Sequence, residues 1–154
     1  MLPKDLFIRD IEASDYRENF LISAIMSIFV IRIFLEIFGY PSLGGGDFHI
    51  AHMLWGGFFM VAAIIISLSF LSKSAANVSA VLGGIGFGTF IDELGKFITS
   101  DNDYFFQPAI ALIYIIFVLL YLISRLIPRH HQISEKEYLV NAIEMIKESA
   151  INDF

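Results

Sequence analysis

The sequence predicts an all-α polytopic membrane protein: four transmembrane helices in a bundle, with short N-terminal and C-terminal cytoplasmic helices. Three observations predict it. The chain of 154 residues is 56% hydrophobic and its mean hydropathy is +0.70, above what a soluble globular chain carries. Its apolar residues are gathered into four runs, 20–39, 50–71, 78–99 and 105–127. Each is long enough, at about 20 residues, to cross a hydrocarbon core of about 30 Å. A soluble chain of this size has no interior for four helices that are apolar on most sides. Finally, Lys and Arg are absent from 40–49 and 100–104, the segments between runs one and two and between runs three and four.

The elements follow in order. Residues 1–18 form a polar cytoplasmic segment in which 10–18, DIEASDYRE, reads as a short helix leading into span 1. No small-residue cleavage site follows the first apolar run, so it is expected to be a retained span, not a signal peptide. The segment YPSLGGGD, 40–47, is a glycine-rich outer turn. It lacks the Lys-Ser/Thr sequel of a phosphate cradle. Span 2 ends at SKSAAN, 72–77, an inner turn, and span 3 ends at SDNDYF, 100–105. Pro108 then suits the first turn of span 4, where Asp101 and Asp103 would face a positive helix end. The transmembrane domain thus covers 19–127 and the tail 128–154. In the tail, Ser134 and Glu137 form a capping box. The helix it opens carries Leu139, Ala142, Ile143, Ile146 and Ala150 on one face. Its polar face is net acidic, whereas a helix for anionic lipid should be basic. The apolar face is therefore expected to pack on protein, giving a homo-oligomer or a partner complex.

Lys4, Arg9, Arg17, Lys73, Arg125, Arg129, Lys136 and Lys147 all fall in the N-terminus, the 72–77 turn or the tail and its approaches. Four spans place these on one side, and the positive-inside rule puts both termini in the cytoplasm of a plasma membrane. Tyr40, Phe48, Trp55, Tyr104, Phe105 and Phe106 gather at the other boundary as an interfacial belt. The chain has no cysteine, which excludes disulfide and thiolate chemistry. It has no G-x-S-x-G nucleophile motif, and its tail is not basic, so nucleic acid is not an expected partner. Two histidines three apart on one helix cannot sit on opposite faces of a haem.

The spans also carry ionisable residues that a plain anchor does not need. Arg32 and Glu36 lie on span 1, His49 and His52 at the start of span 2, and Asp92, Glu93 and Lys96 on span 3. Charges at membrane depth cost a few kcal/mol each and invite a functional reading. At 1.5 Å per residue, Glu36 and His52 lie roughly 5 Å inside the outer boundary and Asp92 roughly 12 Å, so the cluster converges on the outer leaflet. His49, His52, Gly56 and Ala63 form one stripe on span 2; Gly84, Gly88, Asp92 and Gly95 form one on span 3. Small residues permit close helix approach, and the two stripes are expected to face each other, bringing His52 towards Asp92.

Several chemistries fit these residues. His49 and His52 share a helix face and, with Asp92 or Glu36, would suit zinc, iron or manganese. A metal-bound water with Asp92 or Glu93 as base would make a membrane-embedded hydrolase. The expected function is ion or proton movement. Asp47, Asp101 and Asp103 would draw cations to the outer mouth, and Glu93, Lys96 and Arg32 would join the pathway. The same residues are also satisfied by i,i+4 pairs, Arg32–Glu36 and Asp92–Lys96, in a structural or assembly subunit.

The runs GGGDFHIAHMLWGG (44–57) and GFGTFIDELGKFITSDNDYFF (86–106) together resemble small prokaryotic four-span membrane proteins of unassigned function. The resemblance spans the four apolar runs. It implies a bacterial or archaeal plasma membrane and carries over no catalytic, cofactor or binding residue.

Overall fold

A computed structural model of the chain describes residues 8–38, 52–93, 107–126 and 134–152. Among these residues there are five helices and no strand: α1 (Ala13–Phe38), α2 (His52–Ser69), α3 (Lys73–Asp92), α4 (Gln107–Leu126) and α5 (Glu135–Asn152). Two of them, α1 and α3, are long and apolar enough to cross a membrane; α2 and α4 contribute the shorter apolar segments Met53–Ser69 and Ile110–Leu126.

Local chemistry sets the helix boundaries. Asp10 starts α1: its carboxylate accepts from Glu12 N at 2.8 Å and its carbonyl from Ala13 N at 3.3 Å. No glycine or proline interrupts 13–38. The short N-terminal helix expected over 10–18 is therefore the first part of α1 and not a separate element. Ser72 caps α3, its Oγ accepting from Ala75 N at 3.2 Å. Residues 73–77, expected as a turn, form that helix's first turns, because Lys, Ser and Ala carry no penalty that would break a capped helix.

The packing centres on α3, which lies along both α1 and α2. Glycines on two of its faces make this possible. A Cβ on Gly86 would meet Gly56 O of α2 at 2.7 Å, and one on Gly83 would touch Ala63. On the other face, a Cβ on Gly84 or Gly88 would overlap the carbonyl oxygens of Phe20 and Ala24 in α1. Successive residues turn by about 100°, so rows 83/86/90/93 and 84/88/92 diverge to different neighbours. This corrects the facing-stripe expectation. Gly56 and Ala63 of the span 2 stripe do meet α3, but Gly84, Gly88 and Asp92 face α1.

The core is small and the outside is large. Among the described residues the buried apolar ones are Ala24, Leu35, Ala63 and Ile91, while Phe29, Phe58 and Leu119 are exposed, Ile37 at 70% and Leu68 at 82%. The fourth helix stands off from the other three. It leans on α1, where Arg17 Nε donates to Ser124 Oγ at 3.1 Å, and on α3 through the Phe87–Phe117 ring contact at 6.1 Å.

The tail helix forms as expected, and within the chain it docks by its polar face. Ser134 N donates to Glu137 Oε2 at 2.8 Å and Glu137 N to Ser134 Oγ at 3.3 Å, which is the capping box. Its inward face, however, is polar: Glu137 and Asn141 are buried. Leu139, Ile143 and Ile146 point outward, Ile146 being 71% exposed. The reason is the surface α5 meets. That surface consists of the backbone and charges of 9–11 and 71–73, which reward hydrogen-bonding side chains over apolar ones.

Candidate functional site

The ionisable residues meet where the C-terminal end of α3 lies between α1 and α2. Asp92 and Glu93 are consecutive, so their side chains leave α3 about 100° apart. Asp92 falls on the α1 face. Its Oδ1 accepts from Arg32 Nε at 2.7 Å, with Asp92 4% and Arg32 32% exposed. Glu93 falls on the α2 face. It is the largest fully buried side chain among the described residues, at 1% exposure, and its Oε2 accepts from Met53 N at 2.8 Å.

Each partner has a physical reason. Met53 lies in the first turn of α2, whose leading N–H groups have no partner within the helix and carry its positive dipole end. A carboxylate is the natural acceptor there. Two acids at the C-terminal end of α3 are disfavoured by that helix's own dipole. The guanidinium of Arg32 and the start of α2 offset this from neighbouring elements. The result is a charged clamp across three helices: Arg32 and Asp92 tie α1 to α3, and Glu93 and the Met53 amide tie α3 to α2.

The structure therefore brings Asp92, Glu93 and Arg32 together. Arg32 pairs with Asp92, not with the Glu36 one turn further along α1, which is exposed. The His52 backbone opens α2, one residue before the amide held by Glu93. His49, Lys96, Asp47, Asp101 and Asp103 lie outside the described residues. Among the described residues no three His, Asp or Glu side chains are grouped to hold a metal ion.

The Arg32–Asp92 pair was not anticipated, although a signal for it exists. Both residues stand seven positions from the C-terminal ends of their runs, 20–39 and 78–99, hence at the same level on neighbouring parallel helices.

A second charged cluster joins the tail to the opposite ends of the helices. Glu137 receives Arg9 Nε at 2.8 Å and Nη2 at 2.9 Å. Asn141 Oδ1 accepts from Ile11 N at 3.0 Å, and its amide donates to Arg9 O at 2.9 Å. Glu148 accepts from Lys73 N at 3.1 Å, and Lys147 donates to Leu71 O at 2.8 Å. Lys73 also pairs with Glu12. The Arg9 guanidinium, then the Ser134 backbone N–H, hold the Glu137 carboxyl well below the usual carboxylate range. The Lys73 ammonium lowers Glu12 in the same way.

Compared with protein-family models, with curated proteins and with solved structures, the chain matches none.

Proposed function

We propose that the chain is a four-span integral membrane protein of the plasma membrane, with both termini cytoplasmic, and that Asp92 and Glu93 form a proton- or cation-binding site through which ions move. The observation that carries this reading is the burial of two successive carboxylates, each held from a different helix. Ionisable groups at membrane depth mark ion pathways and relays more often than they mark plain anchors.

The surface supports the membrane reading. Large aliphatic and aromatic side chains face outward around a core of small residues, a patch far beyond what soluble monomers expose. The helices α2 and α4 have 18 and 20 residues, or about 27 and 30 Å, and would complete the bundle that α1 and α3 begin.

The clamp offers a mechanism. A proton on Asp92 removes the charge that holds Arg32, and a bound cation takes the place of the guanidinium. Either event loosens α1 from α3. Protonation of Glu93 likewise releases the start of α2. Occupancy of the site is thereby linked to helix contacts, which is the coupling that alternating access requires.

Reconstitution in liposomes under an imposed potential tests this, with proton, sodium and potassium flux read by indicator dyes. The wild-type protein should carry one of them, and Asp92→Asn and Glu93→Gln should each abolish that flux. Absence of any flux, or unchanged flux in both variants, would overturn the proposal. Stoichiometric zinc, iron or manganese in a flux-free preparation would favour a metal-dependent membrane enzyme instead. A metal-free, flux-free protein would leave a structural or assembly subunit.

A further inference from the structure

A cavity of about 940 Å³ separates α1 from α4, and Arg32, Asp92 and Glu93 are not among its lining residues. The α1 wall runs from Ser14 to Phe29 and the α4 wall from Ile110 to Arg125, each a single helical stripe at spacings of three and four. These facing stripes do not seal against each other: Ile22, Phe29, Tyr114 and Tyr121 remain exposed. On its other side α1 is closed onto α3 at Ala24 and Leu35.

The cavity is polar at one end only. Arg17, Arg125, Ser14, Ser124 and Tyr121 line that end together with Glu18, and beyond it the walls are aliphatic and aromatic. Arg17 Nε donates to Ser124 Oγ at 3.1 Å, and Arg125 Nη1 donates to the Tyr121 hydroxyl at 3.2 Å. Each of these bonds uses one of the five N–H donors a guanidinium carries. The walls from Arg17 to Phe29 cover about 18 Å, close to the roughly 15 Å of one leaflet's hydrocarbon.

We infer that this cavity binds one anionic phospholipid of the cytoplasmic leaflet, its phosphate at Arg17 and Arg125 and an acyl chain along the α1–α4 walls. Charge selects this occupant. Two guanidiniums against the one carboxylate of Glu18 leave the inner mouth of an apolar slot net positive, which complements a phosphate on an acyl chain, and basic pockets between spans on the cytoplasmic side bind such head groups. The inference rests on the four-span reading of the chain but not on ion movement.

The test uses the full chain in vesicles of phosphatidylcholine carrying trace spin-labelled phosphatidylglycerol or spin-labelled phosphatidylcholine. The motionally restricted fraction of each label is read by electron spin resonance. Phosphatidylglycerol should be selected over phosphatidylcholine. Arg17→Gln and Arg125→Gln should each lower its association about fivefold, and Ile25→Trp, which fills the slot without touching a charge, should reduce both labels. Equal association of the two lipids, or selectivity unchanged in the double arginine variant, would overturn the inference. So would a dimer that Ile25→Trp dissociates, since a second copy would then occupy the slot. Extraction of the protein from the vesicles by alkaline carbonate would instead overturn the four-span reading, and this inference with it.

Discussion

Substituting Gly88 by Ala perturbs the α1–α3 contact. The added methyl would overlap the Ala24 carbonyl oxygen and the Ser27 Oγ, both closer than 3.0 Å. Ala24 is fully buried, and its carbonyl belongs to a helix backbone that has no rotamer to escape into. The two helices must separate by roughly 1 Å, which forfeits dispersion contacts along the interface. Overpacking of this kind costs about 1–3 kcal/mol. Gly57→Ala is the matched control, because a Cβ there meets nothing within 4 Å. Both substitutions gain the same 0.5–1 kcal/mol or so of helix propensity over glycine, so their difference isolates the contact. Gly83→Ala, which meets Ala63 at 3.4 Å, should fall between them. In detergent, thermal unfolding followed by circular dichroism should place Gly88→Ala roughly 3–10 °C below Gly57→Ala, with Gly57→Ala at or above the wild type. Equal midpoints for Gly88→Ala and Gly57→Ala would refute the glycine-seated packing of α3 on α1.

Two other predictions probe the charged contacts. In a double-mutant cycle of Arg32→Gln and Asp92→Asn, the double variant should lose less than the two single losses together, with a coupling of about 1–3 kcal/mol; additive losses would separate the two residues. Because the folded Glu137 carboxyl titrates below its unfolded value, its contribution to docking α5 is complete above the ordinary carboxylate range and is lost as pH falls beneath it. Spin labels at Ile8→Cys and Leu139→Cys, both exposed positions, should hold a narrow distance distribution from pH 7 to 5 and broaden below about pH 4. A broad distribution already at pH 6, or a narrow one in Glu137→Gln at pH 7, would contradict the Arg9–Glu137 dock.

The sequence is informative about helices and poor about neighbours, for identifiable reasons. Apolar runs and caps are local, so the helical character of the runs, the capping box at Ser134 and the close-packing Gly84 and Gly88 could be read directly. The partner of a helix face is not local. Gly84, Gly88 and Asp92 form an obvious row, but periodicity does not say whether α1 or α2 covers it. The tail shows the same limit more sharply. Its two faces were legible, but that the polar one would dock on Arg9, Ile11 and Lys73, distant in the chain, was not. Arg32 has Glu36 within its own helix at a favourable spacing, which hid the better partner across the interface. The contribution of Glu93 depends on a backbone amide, which no residue pattern displays.

Everything proposed for the clamp and the lipid slot depends on the number of membrane crossings, and cysteine accessibility measures it directly. The chain has no cysteine of its own, so single cysteines at Ser42, Ser74 and Asn102 report one position each. On intact cells, a membrane-impermeant thiol reagent should label Ser42→Cys and Asn102→Cys, and Ser74→Cys only after permeabilisation. Labelling of Ser74→Cys alone on intact cells would invert the protein and move Asp92 and Glu93 to the cytoplasmic leaflet. Protection of only one of Ser42→Cys and Asn102→Cys on intact cells, with labelling after permeabilisation, would contradict the four-span account.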